Sequence, residues 1–344
     1  MNIRHPLLIE ELDQIAALNL PYGAFRDRVI AVTGATGLVG SYLMRALDAV
    51  NRAHGLNLRL IALCRDPEAA KSRLAGIQSL ACLLYDARRP IEADFSADYL
   101  VHAASNAHPL AFSSDPVGTM QANLLGTMHL LELLRRTGGR LLLCSTGEIY
   151  GESPNRESFG EHSFGSVDPM RARSCYPESK RAAETLCASY VQQYGVDALA
   201  ARLTYTYGPT ITSQNSRADA QFLRCALEGR DIVMKSAGSQ LRSYCYAADT
   251  ASALIALLLK GARGEAYNVA TPDCNVSIRD YTATLAELAG VKLTFDLPPE
   301  AEQQGYSAVT RAVLNPEKLM ALGWRARYGL REGLEHTLKI SQDG

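Results

Sequence analysis

Along the first two hundred positions, short apolar runs alternate with longer stretches in which apolar residues recur every three or four positions. The runs are Arg28-Val29-Ile30-Ala31-Val32, Leu58 to Cys64, Leu80 to Tyr85, Tyr99 to Ala103 and Arg140 to Cys144. Each has strand length and reads as buried. Between them lie helical stretches at Ser41 to Ala53 and Val117 to Arg136. Buried strands separated by helices predict parallel β-α-β units, hence an α/β fold with a doubly wound sheet. Residues 1–26 predict a helical N-terminal extension, with Ile9, Leu12, Ile15 and Ala16 at helical spacing before Pro21 and Gly23 break the pattern. After about residue 205 the alternation weakens, apart from a helix at Ala218 to Glu228. A smaller C-terminal part is expected over 206–344, lying over the carboxyl ends of the strands, where open α/β sheets take their ligands.

Composition narrows the classes. The 344 residues are 47% hydrophobic and 21% charged, with a formal charge of −1. That provides no basic field for nucleic acid. The longest apolar stretches, such as Ala251 to Leu259, fall short of the roughly 20 residues that span a bilayer. Arg4, His5, Glu10 and Glu11 interrupt any signal-peptide pattern, so a cytoplasmic protein is expected. Eight cysteines without a C-x-x-C pair predict reduced, mostly buried thiols. Seven scattered histidines without H-x-x-x-H spacing argue against a metal.

Gly34-x-x-Gly37-x-x-Gly40 follows the first strand and opens a helix, as the fingerprint for a dinucleotide pyrophosphate requires. Glycines permit the tight turn and close backbone approach, and the helix start supplies N–H groups and a positive dipole end. Residues 27–205 are therefore expected to form a Rossmann-type NAD(P)-binding domain, with 206–344 mainly binding substrate. An acid at the end of the second strand would bond the ribose 2′-hydroxyl of NAD, whereas an arginine would accept the 2′-phosphate of NADP. Here the acid position is Cys64 and Arg65 follows it. Arg65, with Lys71 or Arg73 nearby, favours NADP+, while Asp66 one position later would serve NAD+, and both stay open. Asp86, after the third strand, is in place to bond the adenine amino group.

Tyr176 and Lys180 stand four apart on one helical face, about thirty residues after a strand ending Ser145-Thr146-Gly147-Glu148. A phenol with an ordinary pKa near 10 is a poor base at neutral pH. An ammonium and a positive nicotinamide ring favour its phenolate, so Tyr176 can take a hydroxyl proton as hydride leaves. Thr146 would bond the same substrate oxygen.

With these residues the chain resembles the extended short-chain dehydrogenases/reductases that act on nucleotide sugars, the NAD-dependent epimerase/dehydratase family. Within that family it is most similar to the UDP-glucuronate decarboxylases. The resemblance is carried by His102-Ala-Ala-Ser105, Asn123-Leu-Leu-Gly126-Thr127, Arg173-Ser-Cys-Tyr176, Tyr207-Gly208-Pro209, Gln240-Leu-Arg242-Ser243-Tyr244 and Leu322-Gly323-Trp324. It implies NAD+ as cofactor, a homodimer built on the helices near 117–136 and 176–194, and catalytic roles for Thr146, Glu148, Tyr176 and Lys180. It also implies cofactor contacts from Thr36, Leu38, Val39, Ala87, Ala103, Ala104, Ser105 and Asn123. Substrate contacts are implied for Ser105, Thr146, Glu148, Tyr205, Arg242 and Arg311, the two arginines converging on a diphosphate. Gly147 stands where the related dTDP-glucose 4,6-dehydratases carry a proton-donating aspartate, which argues against ordinary 6-dehydration. Tyr205 replaces the family's usual asparagine and Thr210 its usual arginine. The expected reaction is C4 oxidation of a nucleotide sugar followed by decarboxylation. A 4,6-dehydratase or epimerase, or a non-catalytic NAD(P)-binding protein, is the alternative.

Overall fold

The computed structural model describes residues 3–91, 95–153, 156–297 and 310–342. Its strands are β1 (Val29–Thr33), β2 (Arg59–Cys64), β3 (Leu80–Leu84), β4 (Tyr99–His102), β5 (Arg140–Thr146), β6 (Asp197–Leu203), β7 (Tyr205–Tyr207), β8 (Ile232–Met234), β9 (Leu241–Tyr246), β10 (Ala266–Val269), β11 (Asn275–Ser277), β12 (Leu293–Phe295) and β13 (Arg311–Ala312). The helices are α1 (Pro6–Ala16), α2 (Leu38–His54), α3 (Pro67–Arg73), α4 (Pro109–Ser114), α5 (Pro116–Thr137), α6 (Cys175–Tyr194), α7 (Ala218–Leu227), α8 (Ala247–Lys260), α9 (Ile278–Ala289), α10 (Glu317–Ala321) and α11 (Leu330–Gln342). None of the described helices is long and apolar enough to cross a membrane.

Seven parallel strands form the central sheet in the order β10-β6-β5-β4-β1-β2-β3. Its apolar runs serve two buried faces, because side chains alternate along a strand. Val29 and Ala31 join the layer holding Leu130, Leu131 and Leu134 of α5 and Ala183 of α6. Ile30 and Val32 join the opposite layer with Leu43 and Leu47 of α2 and Leu254 of α8. The expected strands and helices are present to within a few residues, and the strand order reverses between β1 and β4.

Two expectations need correction. The chain does not divide cleanly after residue 205, since α8 packs on α2 and β10 completes the first sheet beside β6. The smaller layer consists of β9 with β7, β11 and β13, together with the β8–β12 pair. The inward stripe of α1 is Leu8, Glu11, Leu12, Ile15 and Ala16, while Ile9 is exposed. The stripe therefore carries a buried acid. Glu11 accepts from the hydroxyls of Tyr42 and of Tyr246 (2.8 Å) and pairs with His336 Nδ1 at 2.7 Å. These contacts tie the N-terminal helix to α2, β9 and α11.

Candidate active site

Gly34 leaves β1 at φ 65°, a left-handed conformation that favours glycine. A methyl group there would lie 2.8 Å from the Ala103 carbonyl at the end of β4, so the turn sits in the crevice where strand order reverses. A methyl group at Gly40 would overlap the Gly34 carbonyl oxygen. Gly37 is the N-cap of α2, and no side chain bonds the first N–H groups of that helix. Those donors suit a pyrophosphate. Thr36, Leu38 and Val39 are half-buried along the turn, as are Ala103, Ala104 and Ser105 beyond β4. Ser105 Oγ is buried with no hydrogen-bond partner among the described residues. The arrangement fits a dinucleotide. Gly40→Ala is expected to weaken dinucleotide binding at least about tenfold in a calorimetric titration, because the added methyl group displaces backbone in the turn.

Three cofactor candidates have other partners. The Asp86 carboxylate bonds the Arg88 backbone N–H and guanidinium at 2.9–3.1 Å, which holds it down at about 2. Asn123 is fully buried and donates to Ser179 Oγ at 2.9 Å, bracing α5 against α6. Ala87 is buried facing Gly126, where a methyl group would come within 2.9 Å of it.

The catalytic candidates meet where β5 ends and α6 begins. Thr146 Oγ1 accepts the Glu148 N–H at 3.2 Å and lies in hydrogen-bonding reach of the Tyr176 phenol. Tyr176 is 8% exposed. Burial pushes its phenol above the ordinary range and the Glu148 carboxylate adds to this, while Thr146, Arg217 and Arg173 act the other way. Lys180 shares the helical face, but its Nζ donates to the Cys144 carbonyl at 2.9 Å rather than to Tyr176. Burial lowers its ammonium to about 8. In this structure the positive groups favouring the phenolate are therefore the two guanidiniums.

Three residues missing from the sequence-derived site belong to it by contact. Phe112 of α4 stacks on Tyr176, with ring centroids 4.7 Å apart. The Arg173 guanidinium lies over the Phe112 ring at 4.6 Å and pairs with Glu148 at 2.8 Å. Arg217, just before α7, is positioned to act electrostatically on Tyr176, Tyr205 and Glu148. Its nearest acid is Asp219 at 3.9 Å, and its Nε has no hydrogen-bond partner among the described residues. Arg173, three residues ahead of Tyr176, was within reach of spacing arguments. Phe112 comes from α4 and Arg217 from the loop before α7, both distant in sequence, and they leave no local signal.

Of the two arginines expected to converge, Arg242 is buried with its guanidinium 5.7 Å from the Tyr205 ring. Arg311 is exposed and reaches the Glu157 carbonyl at 3.4 Å. Register is the reason they separate. Ala312, not Arg311, pairs with Arg242, and neighbouring residues on a strand point to opposite faces. Thr210 bridges the two cofactor-side helices, donating to the Leu38 carbonyl at 2.7 Å and accepting from Arg73 at 2.7 Å. A methyl group at Gly147 would lie 2.8 Å from the tip of the Leu314 side chain, which would have to shift to admit it.

Residues 30–270 match the model of the NAD dependent epimerase/dehydratase family. The chain is 30% identical over 315 residues to UDP-glucuronic acid decarboxylase 6 of Arabidopsis thaliana, covering 89% of this chain and 86% of that protein. It is 29% identical to UDP-glucuronic acid decarboxylase 1 of Danio rerio, covering 91% and 72% respectively. Among solved structures, a Thermus thermophilus UDP-glucose 4-epimerase in complex with NAD superposes with a TM-score of 0.75 at 28% identity, covering 91% of this chain and 98% of that one. A dTDP-glucose 4,6-dehydratase of Streptomyces venezuelae with NAD bound has the same fold, with a TM-score of 0.76 at 22% identity, covering 92% and 97%. The strand order, the glycine turn and these matches agree: the chain belongs to the NAD dependent epimerase/dehydratase family, enzymes of the extended short-chain dehydrogenase type with a nicotinamide dinucleotide cofactor.

Proposed function

We propose that this enzyme oxidises the C4 hydroxyl of a nucleotide sugar bearing a carboxylate at C5, as UDP-glucuronic acid does, and releases CO2. The observation that carries the choice is Gly147. Leu314 fills the space where a side chain would stand, so the site has no acid there to protonate a departing C6 hydroxyl. The relatives named as UDP-glucuronic acid decarboxylases, aligned over most of both chains, support the same substrate class.

When bound, the dinucleotide supplies the hydride acceptor. Tyr176 takes the C4 hydroxyl proton and Thr146 holds that oxygen, their contact being ready in the structure. The resulting ketone is β to the carboxylate, so the C5–carboxyl bond breaks with its electron pair delocalised onto the ketone oxygen. A proton then returns to C5. Glu148, fixed by Arg173, orients the ring or handles that proton. Arg217 and Arg242, whose charges both act on Tyr205, supply positive charge for the diphosphate. Arg311, on the opposite face of its strand from Arg242, takes no part in this arrangement. Phe112 excludes water from one face of Tyr176.

Incubation with UDP-glucuronic acid and cofactor is expected to release CO2 and leave a pentose product lighter by CO2 where the hydride is returned to C4, or by CO2 and two further hydrogens where the 4-ketone is released. A stable 4-keto product that keeps its carboxylate would overturn decarboxylation. Turnover of UDP-glucose or dTDP-glucose in preference would overturn the substrate class.

A cytoplasmic homodimer completes this reading. Leu131, Leu134 and Ala183 are core residues and do not face a partner. Val117 and Met120 on α5 are exposed, with Leu124 half-buried beside them, and they supply the apolar face.

A further inference from the structure

The adenosine end of the cofactor site differs from what an NAD enzyme needs, and the structure decides between the two candidate acids. β2 ends in Cys64, whose thiol is buried and cannot accept the bidentate bond that a carboxylate offers a ribose diol. Asp66 is the nearest acid in sequence. It is the N-cap of α3, and its Oδ1 accepts the Ala69 N–H at 3.0 Å. That bond ties one oxygen of the carboxylate to the first turn of the helix. Glu68 is held by Lys71 at 2.8 Å, and Asp86 at the end of β3 by Arg88. Each of these carboxylates thus already bonds a protein group.

The cations are in excess. Arg65, directly after Cys64, is exposed and makes no hydrogen bond or ion pair within the described residues. Arg73 of α3 donates to the Thr210 carbonyl, and Thr210 in turn bonds the Leu38 carbonyl, so its guanidinium stands beside the pyrophosphate turn. Arg89 is exposed on the turn after β3. A negative side chain at the Cys64 position would repel a 2′-phosphate. With it absent and an open guanidinium next in line, the geometry points to NADP+ as the preferred cofactor, with Arg65 as the residue that reads the 2′-phosphate and Cys64 as the residue that admits it.

This inference concerns binding alone and stands apart from the identity of the sugar. The first readout is the mass of the nucleotide released when the purified protein is denatured, expected to be NADP+ or NADPH. The second is calorimetric titration of nucleotide-stripped protein with each dinucleotide. NADP+ is expected to bind at least about tenfold tighter than NAD+. Arg65→Ala should weaken NADP+ by about 10- to 100-fold, the loss of a charge-assisted phosphate contact, and move NAD+ less than about threefold. Cys64→Asp should reverse the preference. Arg65 is exposed, so its variant decides the matter even if the buried Cys64→Asp fails to fold. Tighter binding of NAD+ by the unaltered protein, or an equal loss for both dinucleotides in Arg65→Ala, overturns the inference.

Discussion

Tyr176→Phe is expected to slow oxidation of the sugar by about 10²- to 10⁴-fold, the range for loss of a positioned general base. The change removes one oxygen from a ring held between Phe112 and Cys175, so the apolar packing that buries it persists. Substrate and cofactor affinity should therefore remain within about threefold. The loss falls on the proton transfer assigned to the Tyr176 phenol beside Thr146. Single-turnover appearance of reduced cofactor measures the step, and equilibrium titration measures binding. A rate within about threefold of the unaltered enzyme would sink the role assigned to Tyr176. An equal collapse of binding and rate would mean that the ring acts structurally.

The second large effect is on stability. Glu11→Ala should destabilise the protein by about 3–5 kcal/mol, the usual cost of removing one member of a buried polar pair. It leaves the hydroxyls of Tyr42 and Tyr246 and the imidazole of His336 without their shared acceptor. Denaturant unfolding would register the change as a lower midpoint, and a loss below about 1 kcal/mol would refute the assignment. The pair also has a pH signature. The hydrogen bond from Glu11 raises the folded pKa of His336 against the effect of its burial. A raised histidine contributes stability below its unfolded value of about 6.5 and loses it as pH rises through the folded value. Burial likewise raises nearby Asp249 to about 7, so its contribution is also lost as pH climbs from the usual carboxylate range towards neutral. Stability should thus fall between about pH 5 and 8, with a shallower slope in Glu11→Ala once the Glu11 bond to His336 is gone.

What the sequence disclosed is largely what short-range physics encodes. Apolar runs such as Val29 to Val32 declare a strand buried on both faces, and the spacing of Gly34, Gly37 and Gly40 declares a turn closed by backbone contact. Tyr176 and Lys180 share a face because a helix repeats every 3.6 residues. The misses have a common origin. Apolar spacing on α1 picked out Ile9, Leu12, Ile15 and Ala16, whereas the neighbouring core offers phenols and an imidazole to the acid at position 11 and leaves Ile9 exposed.

The parallel α/β sheet, the glycine turn and the shared helical face of Tyr176 and Lys180 were written in the sequence, since periodicity, turn stereochemistry and helical spacing act within a few residues. Only the tertiary structure decided what surrounds them. Leu314 occupies the Gly147 side-chain space from far along the chain, and Arg217 brings charge to Tyr176 from the loop before α7. Strand register sent Arg311 and Arg242 to opposite faces. Contacts of this kind depend on which strands pair and where loops close, and no local pattern carries that information.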